Sequence, residues 1–141
     1  MVITLINGPN LNLLGSRESS IYGDKTFEDF LKSLKKSYSN TEFIYYQSNI
    51  EGEIVDKIQS AASESDGIIL NAGGYTHTSV AIRDAISAIV TPVIEVHISN
   101  VMAREEFRHI SLISSACSGT ITGFGINGYE LAVEAFVRKI I

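Results

Sequence analysis

A carboxylate and an imidazole stand two residues apart in the apolar segment Pro92-Val-Ile-Glu-Val-His-Ile98. Because successive side chains of a β-strand point to opposite faces, Glu95 and His97 share one face of a predicted inner strand. A buried carboxylate has to be paired, and Glu95 can accept from one imidazole nitrogen while the other is left to donate or accept a proton. The pattern therefore predicts either an oriented general acid or base, or a satisfied structural pair.

A connection of 19 residues follows the first predicted strand and carries two groups suited to proton transfer, Arg17 and Tyr22. Connections of this length in a compact domain usually bind a ligand or close over a site. A free phenol is a poor base at neutral pH, but a neighbouring guanidinium lowers its pKa by stabilising the phenolate. Gly15 and Gly23 bracket the segment as candidate hinges. We expect an active-site lid over about 16–24, with an ordinary surface loop as the alternative.

Two further segments carry polar groups that could bind an anionic substrate. The segment Asn71-Ala-Gly-Gly-Tyr-Thr-His-Thr-Ser79 joins a predicted strand to a helix start, where free backbone N–H groups favour a carboxylate. The same residues also suit the simpler role of helix capping, by Thr78 or Ser79. Arg104 could pair with a neighbouring glutamate and Arg108, one helical turn on, could reach a hydroxyl or carboxylate. A solvated helix face is the alternative for both arginines.

Apolar periodicity predicts the elements that must position these residues. Short apolar runs indicate strands at 2–6, 43–47, 67–71, 92–97 and 119–122. Apolar spacings of three and four indicate helices through 27–38, 50–61, 80–89 and 131–140, with a weaker helical stretch at 101–107. Thr26 is the candidate N-cap of the first of these helices. Strands that are apolar on both faces and alternate with helices indicate a parallel sheet covered by helices on both sides.

The expected fold class is α/β, a flavodoxin-like three-layer sandwich whose five-stranded parallel sheet has the strand order 2-1-3-4-5. A length of 141 residues suits one domain, 1–141, with a well-formed core. In such a sheet, ligands bind at the carboxyl ends of the strands, where the strand order reverses. We therefore expect the site at the segments that follow Ile6, Leu70 and Val96, which carry most of the unusual polar residues.

Composition limits the classes of function. With 45% hydrophobic and 19% charged residues, the chain is expected to be globular and not disordered. Its 11 Lys and Arg against 16 Asp and Glu give a net charge of -5 without a basic patch, which argues against a nucleic-acid partner. No apolar run approaches the ~18 residues of a membrane span. Cys117 is the single cysteine, so no intrachain disulfide can form, and a soluble protein of the reducing cytoplasm is expected.

Two features suggest a cofactor or a metal, and both are weak. Gly123-Phe-Gly-Ile-Asn-Gly128 matches the G-x-G-x-x-G of dinucleotide sites, but too little chain follows for the next strand and a ribose-binding acid. A close turn between a strand and a helix is the favoured interpretation. The three histidines and Cys117 show no recurring metal-ligand spacing, and an isolated cysteine is usually a small core residue. We predict neither a cofactor nor a metal.

Taken together, these segments resemble the type II 3-dehydroquinate dehydratases, and the resemblance covers the chain from residue 2 to residue 141. It rests on short motifs that occur in the family's order and spacing. They are Asn7-Gly-Pro-Asn-Leu-Asn-Leu-Leu-Gly15, Arg17 with Ile21-Tyr-Gly23, Leu70-Asn-Ala-Gly73, Thr76-His-Thr-Ser79, Glu95-Val-His-Ile-Ser-Asn100, Arg104-Glu-Glu-Phe-Arg108 and Gly125-Ile-Asn-Gly-Tyr129.

The resemblance implies a flavodoxin-like subunit in a homododecamer of trimers, which converts 3-dehydroquinate to 3-dehydroshikimate and water in the shikimate pathway. It implies no cofactor and no metal. By similarity, Tyr22 as phenolate would remove a proton from the carbon next to the ketone, with Arg17 lowering its pKa. Asn10 would hold a water on the enolate oxygen, and His97, oriented by Glu95, would protonate the departing hydroxyl.

The resemblance also implies how the substrate is held. By similarity, the carboxylate would be bound by Asn71 with the backbone at Ile98 and Ser99, ring hydroxyls by His77 and Arg108, and Asp84 would reach across from a neighbouring subunit. Two positions depart from the family pattern. Met102 stands where a histidine is frequent, and Ser19-Ser20 stand where proline is common, which suggests a more flexible lid.

Two other functions remain open at this point. A non-catalytic domain could use the same crevice to hold a carboxylate ligand. A Schiff-base lyase would need a desolvated lysine, whereas the six lysines fall on loops or predicted polar faces. A binding domain should tolerate the loss of Tyr22, whereas the dehydratase should not. A Schiff-base lyase would depend on a lysine, whereas the dehydratase would not.

Overall fold

The structure, a computed structural model, describes residues 1–15 and 26–141. In this part of the chain, an α-helix follows each of the first three strands and the fifth, whereas only short 3₁₀ turns join the fourth strand to the fifth. The strands are β1 Val2–Asn7, β2 Glu42–Gln47, β3 Gly67–Asn71, β4 Val93–His97 and β5 Gly119–Thr122. The helices are α1 Phe27–Ser37, α2 Glu51–Glu64, α3 Val80–Ser87 and α4 Asn127–Val137. The predicted lid, with Arg17 and Tyr22, lies outside the described residues.

The strands form one parallel sheet in the order β2-β1-β3-β4-β5, which confirms the predicted order. One apolar cluster joins α1 and α4 to one face of the sheet, and a second joins α2 and α3 to the other face. The three-layer sandwich is therefore confirmed as well. Because Asn7 pairs in register with Asn71, and His97 with Thr122, the polar strand ends meet along one edge of the sheet.

Two helices begin where side-chain caps predict. The Thr26 side chain accepts from the backbone N–H of Asp29 at 3.2 Å and starts α1. The Ser79 side chain accepts from the N–H of Ile82 at 2.9 Å and starts α3, so Ser79 and not Thr78 is the cap there. Each bond satisfies an N–H that the first helical turn leaves without a partner. In the described chain no helix is long and apolar enough to cross a membrane.

The helical stretch predicted at 101–107 is wrong. Two 3₁₀ turns, Val101–Ala103 and Glu106–Arg108, take its place, with extended backbone at Arg104 between them. The Asn100 side chain caps the first turn by accepting from the N–H of Met102 at 3.2 Å. Apolar residues are too few here to hold a longer helix against the sheet, so local capping decides the conformation.

The glycine-rich segment after β5 is a close turn against the end of β4, as predicted. The N–H groups of Gly123 and Gly125 donate to the carbonyls of His97 and Ile98 at 3.2 and 2.9 Å. A side chain at Gly128 would meet Val96 at 3.3 Å, so the glycine lets α4 approach the strand. The helix that follows ends at Val137, earlier than the predicted 140.

Candidate active site

A cavity of about 410 Å³ opens at the carboxyl ends of β1, β3 and β4. This is the point where the strand order reverses, so the cavity lies where the sequence predicted a site. A volume of this size suits a small-molecule ligand. Seven residues that the sequence nominated line the cavity: Asn10, Asn71, His77, His97, Ile98, Ser99 and Arg108.

The predicted pair on β4 is formed. His97 Nε2 lies 2.6 Å from Glu95 Oε1, and both side chains are buried. A carboxylate can only accept, so Nε2 carries the hydrogen of this bond. Glu95 lies behind the cavity wall, whereas His97 lines the cavity. Among the described residues, the other ring nitrogen of His97, Nδ1, has no hydrogen-bond partner, and it is the one available for chemistry.

Three hydroxyl groups complete the surroundings of Glu95. Ser111 donates to Oε1 at 2.9 Å and Thr120 to Oε2 at 3.3 Å, and Ser114 also donates to Oε2. Burial by itself raises the pKa of Glu95, but the hydrogen bonds from His97 and Ser114 outweigh it and hold the pKa below its ordinary value. Glu95 is therefore a carboxylate that presents a fixed negative charge to His97.

His77 faces His97 across the cavity wall. The two rings are stacked, with centroids 6.3 Å apart and planes 21° apart. His77 Nδ1 lies 2.7 Å from the carbonyl oxygen of Ile110, which fixes Nδ1 as the protonated nitrogen. In the neutral ring, Nε2 is then an acceptor, and it suits a hydroxyl group of a ligand.

Asn71 ends β3 with its amide held at both atoms. Its Oδ1 accepts from the N–H of Gly73 at 3.2 Å, and its Nδ2 donates to the hydroxyl of Tyr129 at 3.0 Å. Tyr129 in turn donates to Asn7 Oδ1 at 2.7 Å. Burial raises the pKa of Tyr129, so its hydroxyl keeps its proton.

The conformation of Asn10 is held by residues at the end of β2, the strand beside β1. Its φ of 68° lies in the left-handed region, which asparagine tolerates better than most residues. The backbone N–H of Asn10 donates to Asn49 Oδ1 at 3.0 Å. Gln47 Nε2 donates to that same oxygen at 3.1 Å and to the carbonyl of Gly8 at 3.1 Å. These contacts hold the turn that carries Asn10 into the cavity wall.

The arginines lie at the solvent side of the cavity and share one carboxylate. Arg108 Nε lies 2.7 Å from Glu105 Oε2, and Arg104 Nε lies 3.7 Å from that atom. Arg104 Nη1 also donates to Ser99 Oγ at 3.4 Å. Arg104 lines the cavity, although the sequence reasoning gave it only a surface ion pair. The sequence signal for a cavity role of Arg104 was its place in the segment 104–108, which also contains Arg108.

Two nominated or noted residues lie away from this cavity. Asp84 is exposed on α3, 3.9 Å from Arg83, and does not line the cavity. Its contribution to a neighbouring subunit stays a prediction, as do the roles of Arg17 and Tyr22, which lie outside the described residues. Met102 is 60% exposed, and the structure does not explain why methionine stands there.

Four residues of the site were missed by sequence reasoning or received no role: Ser111, Ser114, Thr120 and Tyr129. The serines fall in a stretch without periodicity, and Tyr129 looks like any other apolar position of a helix. The repeated hydroxyl groups after Arg108 were the one available signal.

The described residues hold no group of three or more His, Cys, Asp or Glu side chains arranged to bind a metal ion. Cys117 is half-buried beside the Glu95 network. Burial, and to a lesser extent the charge of Glu95, raise the pKa of the Cys117 thiol to about 12. The thiol is therefore protonated at neutral pH, as expected of a small core residue.

Comparison with known proteins gives one family. The family described as Dehydroquinase class II matches residues 1–137. A 3-dehydroquinate dehydratase of Campylobacter jejuni subsp. jejuni serotype O:23/36 is 57% identical over 140 residues, which covers 98% of this chain and 88% of that protein. A 3-dehydroquinate dehydratase of Fusobacterium nucleatum subsp. nucleatum is 58% identical over 143 residues, covering 98% of this chain and 97% of that protein. The crystal structure of a type II dehydroquinase from Butyrivibrio crossotus superposes with a TM-score of 0.91 at 49% identity, covering 97% of each chain.

Proposed function

Because the chain belongs to the class II dehydroquinase family, we propose that it is a 3-dehydroquinate dehydratase, a hydro-lyase of the shikimate pathway. The reaction is the trans-elimination of water from 3-dehydroquinate, through an enolate, to give 3-dehydroshikimate. The observation that carries the proposal is the Glu95–His97 pair, in which a buried carboxylate holds an imidazole that lines a cavity of small-molecule size.

His97 is the general acid of this proposal. The enolate expels a hydroxyl group, which is a poor leaving group until it receives a proton. Glu95 accepts from Nε2 at 2.6 Å and leaves Nδ1 as the nitrogen that exchanges a proton with the ligand. The hydroxyl groups around Glu95 stabilise its charge, so the carboxylate orients the imidazole without competing for the proton.

Tyr22 is the proposed base, and Arg17 the cation that makes its phenolate accessible near neutral pH. The support for both is the motif that joins them in the sequence, Arg17 with Ile21-Tyr-Gly23, within a lid proposed over about 16–24. Asn10 is the proposed holder of a water on the enolate oxygen. Its place in the cavity wall supports that role, because a developing negative charge needs a fixed donor.

The substrate carboxylate is proposed to lie against the Asn71 amide and the backbone at Ile98 and Ser99. Asn71 supports this role, because one amide hydrogen is used within the protein and the group lines the cavity. The ring hydroxyls are proposed to meet His77, whose Nε2 is an acceptor, and Arg108, which is a donor. No cofactor and no metal take part in the proposed chemistry.

The proposed assembly is a homododecamer of trimers in the cytoplasm, in which Asp84 completes the site of a neighbouring subunit. The exposed position of Asp84 on α3 supports this role, because a side chain buried in its own subunit could not reach another. Sedimentation of the purified protein tests the assembly, and a monomer at assay concentration would contradict it.

The test of the reaction is ultraviolet absorbance after the protein is mixed with 3-dehydroquinate and a chelator. The conjugated enone of the product should appear at catalytic protein concentration. Tyr22→Phe should abolish this turnover while keeping ligand binding, since the ring stays and the titrating oxygen is removed. Absence of product with an intact fold would favour a carboxylate-binding domain instead.

A second arm of the test addresses Schiff-base chemistry. Among the described residues, no lysine lines the cavity, and Lys57, the lysine with only 17% of its side chain exposed, pairs with Glu64 on α2. Borohydride added with the substrate should therefore leave the enzyme active. Inactivation would replace the phenolate mechanism with an imine mechanism.

A further inference from the structure

The closing helix α4 sends one tyrosine toward the carboxyl ends of β1 and β3. Tyr129 is fully buried, and Phe27 and Phe30 of α1 hold its ring from the apolar side, with centroids at 5.0 and 6.0 Å. A buried hydroxyl is costly unless it is hydrogen-bonded. The partners of this hydroxyl therefore show what it contributes to the site.

Tyr129 bridges two asparagines that pair across the sheet. Asn7 and Asn71 are register partners at the ends of β1 and β3. Tyr129 donates to Asn7 Oδ1 at 2.7 Å and accepts from Asn71 Nδ2 at 3.0 Å. A hydroxyl has a single hydrogen, and here it is directed to Asn7. The amide of Asn71 therefore meets a lone pair of the tyrosine oxygen.

This arrangement decides which way the Asn71 amide faces. Its Oδ1 accepts from the N–H of Gly73 at 3.2 Å. A flipped amide would set Nδ2 against the Gly73 N–H and lose that bond, and Oδ1 would then meet the Tyr129 oxygen. The single hydrogen of Tyr129 could bond Asn71 only by giving up Asn7, so the flip costs the Gly73 bond and one of the two tyrosine bonds. Of the two Nδ2 hydrogens, one is bonded within the described residues, and the second is left for a ligand in the cavity that Asn71 lines.

We propose that Tyr129 is a positioning residue for substrate recognition, whose hydroxyl holds the Asn71 amide so that an N–H faces the cavity and meets the substrate carboxylate. The inference rests on the proposed function, which supplies the carboxylate. A donor that is already oriented binds a charged oxygen without first losing rotational freedom, so the benefit appears as affinity. Tyr129 itself does not touch the substrate.

Tyr129→Phe tests this role, because it keeps the ring and removes the hydroxyl. We expect KM for 3-dehydroquinate to rise about tenfold, with kcat changed less than about twofold, since ground state and transition state lose the same contact. Asn71→Ala should raise KM at least as much, and the double variant should be no worse than Asn71→Ala alone. Tyr38→Phe is the matched control. It removes a hydroxyl that donates to Glu134 of α4 at 2.7 Å, and it should leave KM unchanged.

An unchanged KM in Tyr129→Phe, or effects that multiply in the double variant, would overturn the inference. If Tyr129→Phe does not fold, Asn7→Ala provides the second test, because it removes the acceptor that fixes the tyrosine hydrogen. Its KM should also rise, and an unchanged value would overturn the inference equally. Turnover of the unsubstituted protein distinguishes a failure of the proposed function from a failure of the role inferred for Tyr129. Absence of turnover there refutes the proposed function, whereas normal turnover with an unaltered KM in the variants refutes only the role of Tyr129.

Discussion

The cavity has two sides that are built on different principles. We call the buried residues Asn71 and His97, together with Glu95 directly behind His97, the inner wall, and the residues Arg104 and Arg108 on the solvent side the outer rim. Inner-wall groups lie on the central strands β3 and β4 and are bonded by residues from distant parts of the chain, such as Tyr129 at 3.0 Å from Asn71 and Ser111 at 2.9 Å from Glu95. Outer-rim groups lie at or between two short 3₁₀ turns and share one exposed glutamate.

The difference shows which polar groups of the cavity are held in one fixed geometry. A buried polar group has no water to fall back on, so each missing bond is costly, and the network keeps a single geometry. An exposed ion pair competes with water and salt, and its geometry is weakly held. Proton transfer needs groups held in a fixed geometry by a buried network, whereas attraction of a charged substrate needs only exposed charges. The predictions that follow separate the two sides by the size of their effects.

The largest effect is expected at His97. His97→Asn should lower kcat by about 10²–10⁴-fold with little change in KM, because a positioned general acid contributes on that scale. Steady-state kinetics of product formation measure it. His109→Asn is the control, since His109 is exposed and its ring bonds only the carbonyl of Arg104, at 3.1 Å, among the described residues. A His97 variant within tenfold of the unsubstituted protein would remove the inner wall from the chemistry.

A smaller effect is expected where the inner wall is supported. Ser114→Ala removes a hydroxyl that donates to the buried Glu95, and we expect the free energy of unfolding to fall by about 1–3 kcal/mol. Urea unfolding measures the change. Ser60→Ala is the control, because Ser60 is exposed and donates only to a carbonyl of its own helix. Equal losses in the two variants would show that the hydroxyl does not stabilise the carboxylate.

The acid dependence of stability should also report on Glu95. Its pKa is lower in the folded protein than the ordinary value of 4.5, so the unfolded chain binds the proton more readily. The stability that the carboxylate contributes is then present above about pH 4.5 and is lost as the pH falls through the folded pKa. Glu95→Gln should reduce the slope with which the free energy of unfolding falls as the pH is lowered below about 4.5.

The exposed carboxyls whose pKa is also lowered, Asp29 and Glu105, remain in both proteins and so cancel in that comparison. The readout is the slope of stability against pH rather than its absolute value, because the amide itself alters the buried network. Equal slopes of the free energy of unfolding against pH in the two proteins, in the acid range, would contradict the assignment of a charged Glu95.

The smallest effect is expected at the outer rim. Glu105→Gln breaks the pairs with Arg104 and Arg108, yet the glutamate is exposed, so the unfolding temperature should stay within measurement error. Added salt should screen what little difference remains. Thermal unfolding at low and high salt measures both. A loss as large as that of Ser114→Ala would erase the contrast between the two sides.

Much of the fold follows from local patterns. Apolar runs and helical spacings predicted the five strands and their order, and the Thr26 cap predicted the start of α1. The prediction failed at 101–107, where the residues support no continuous apolar face and turns form instead. Local capping by Asn100 competes there with a weak helical tendency, and periodicity alone cannot weigh one against the other.

By itself, the sequence determined the Glu95–His97 pair, because a period of two residues puts both side chains on one face of any strand. It also determined the edge of the sheet at which the site lies, because parallel strands end together. Only the tertiary structure decided what surrounds these groups. Ser114 reaches Glu95 across 19 positions of sequence and Tyr129 reaches Asn71 across 58. Such contacts depend on how helices and loops pack against the sheet, which no local period in the sequence encodes.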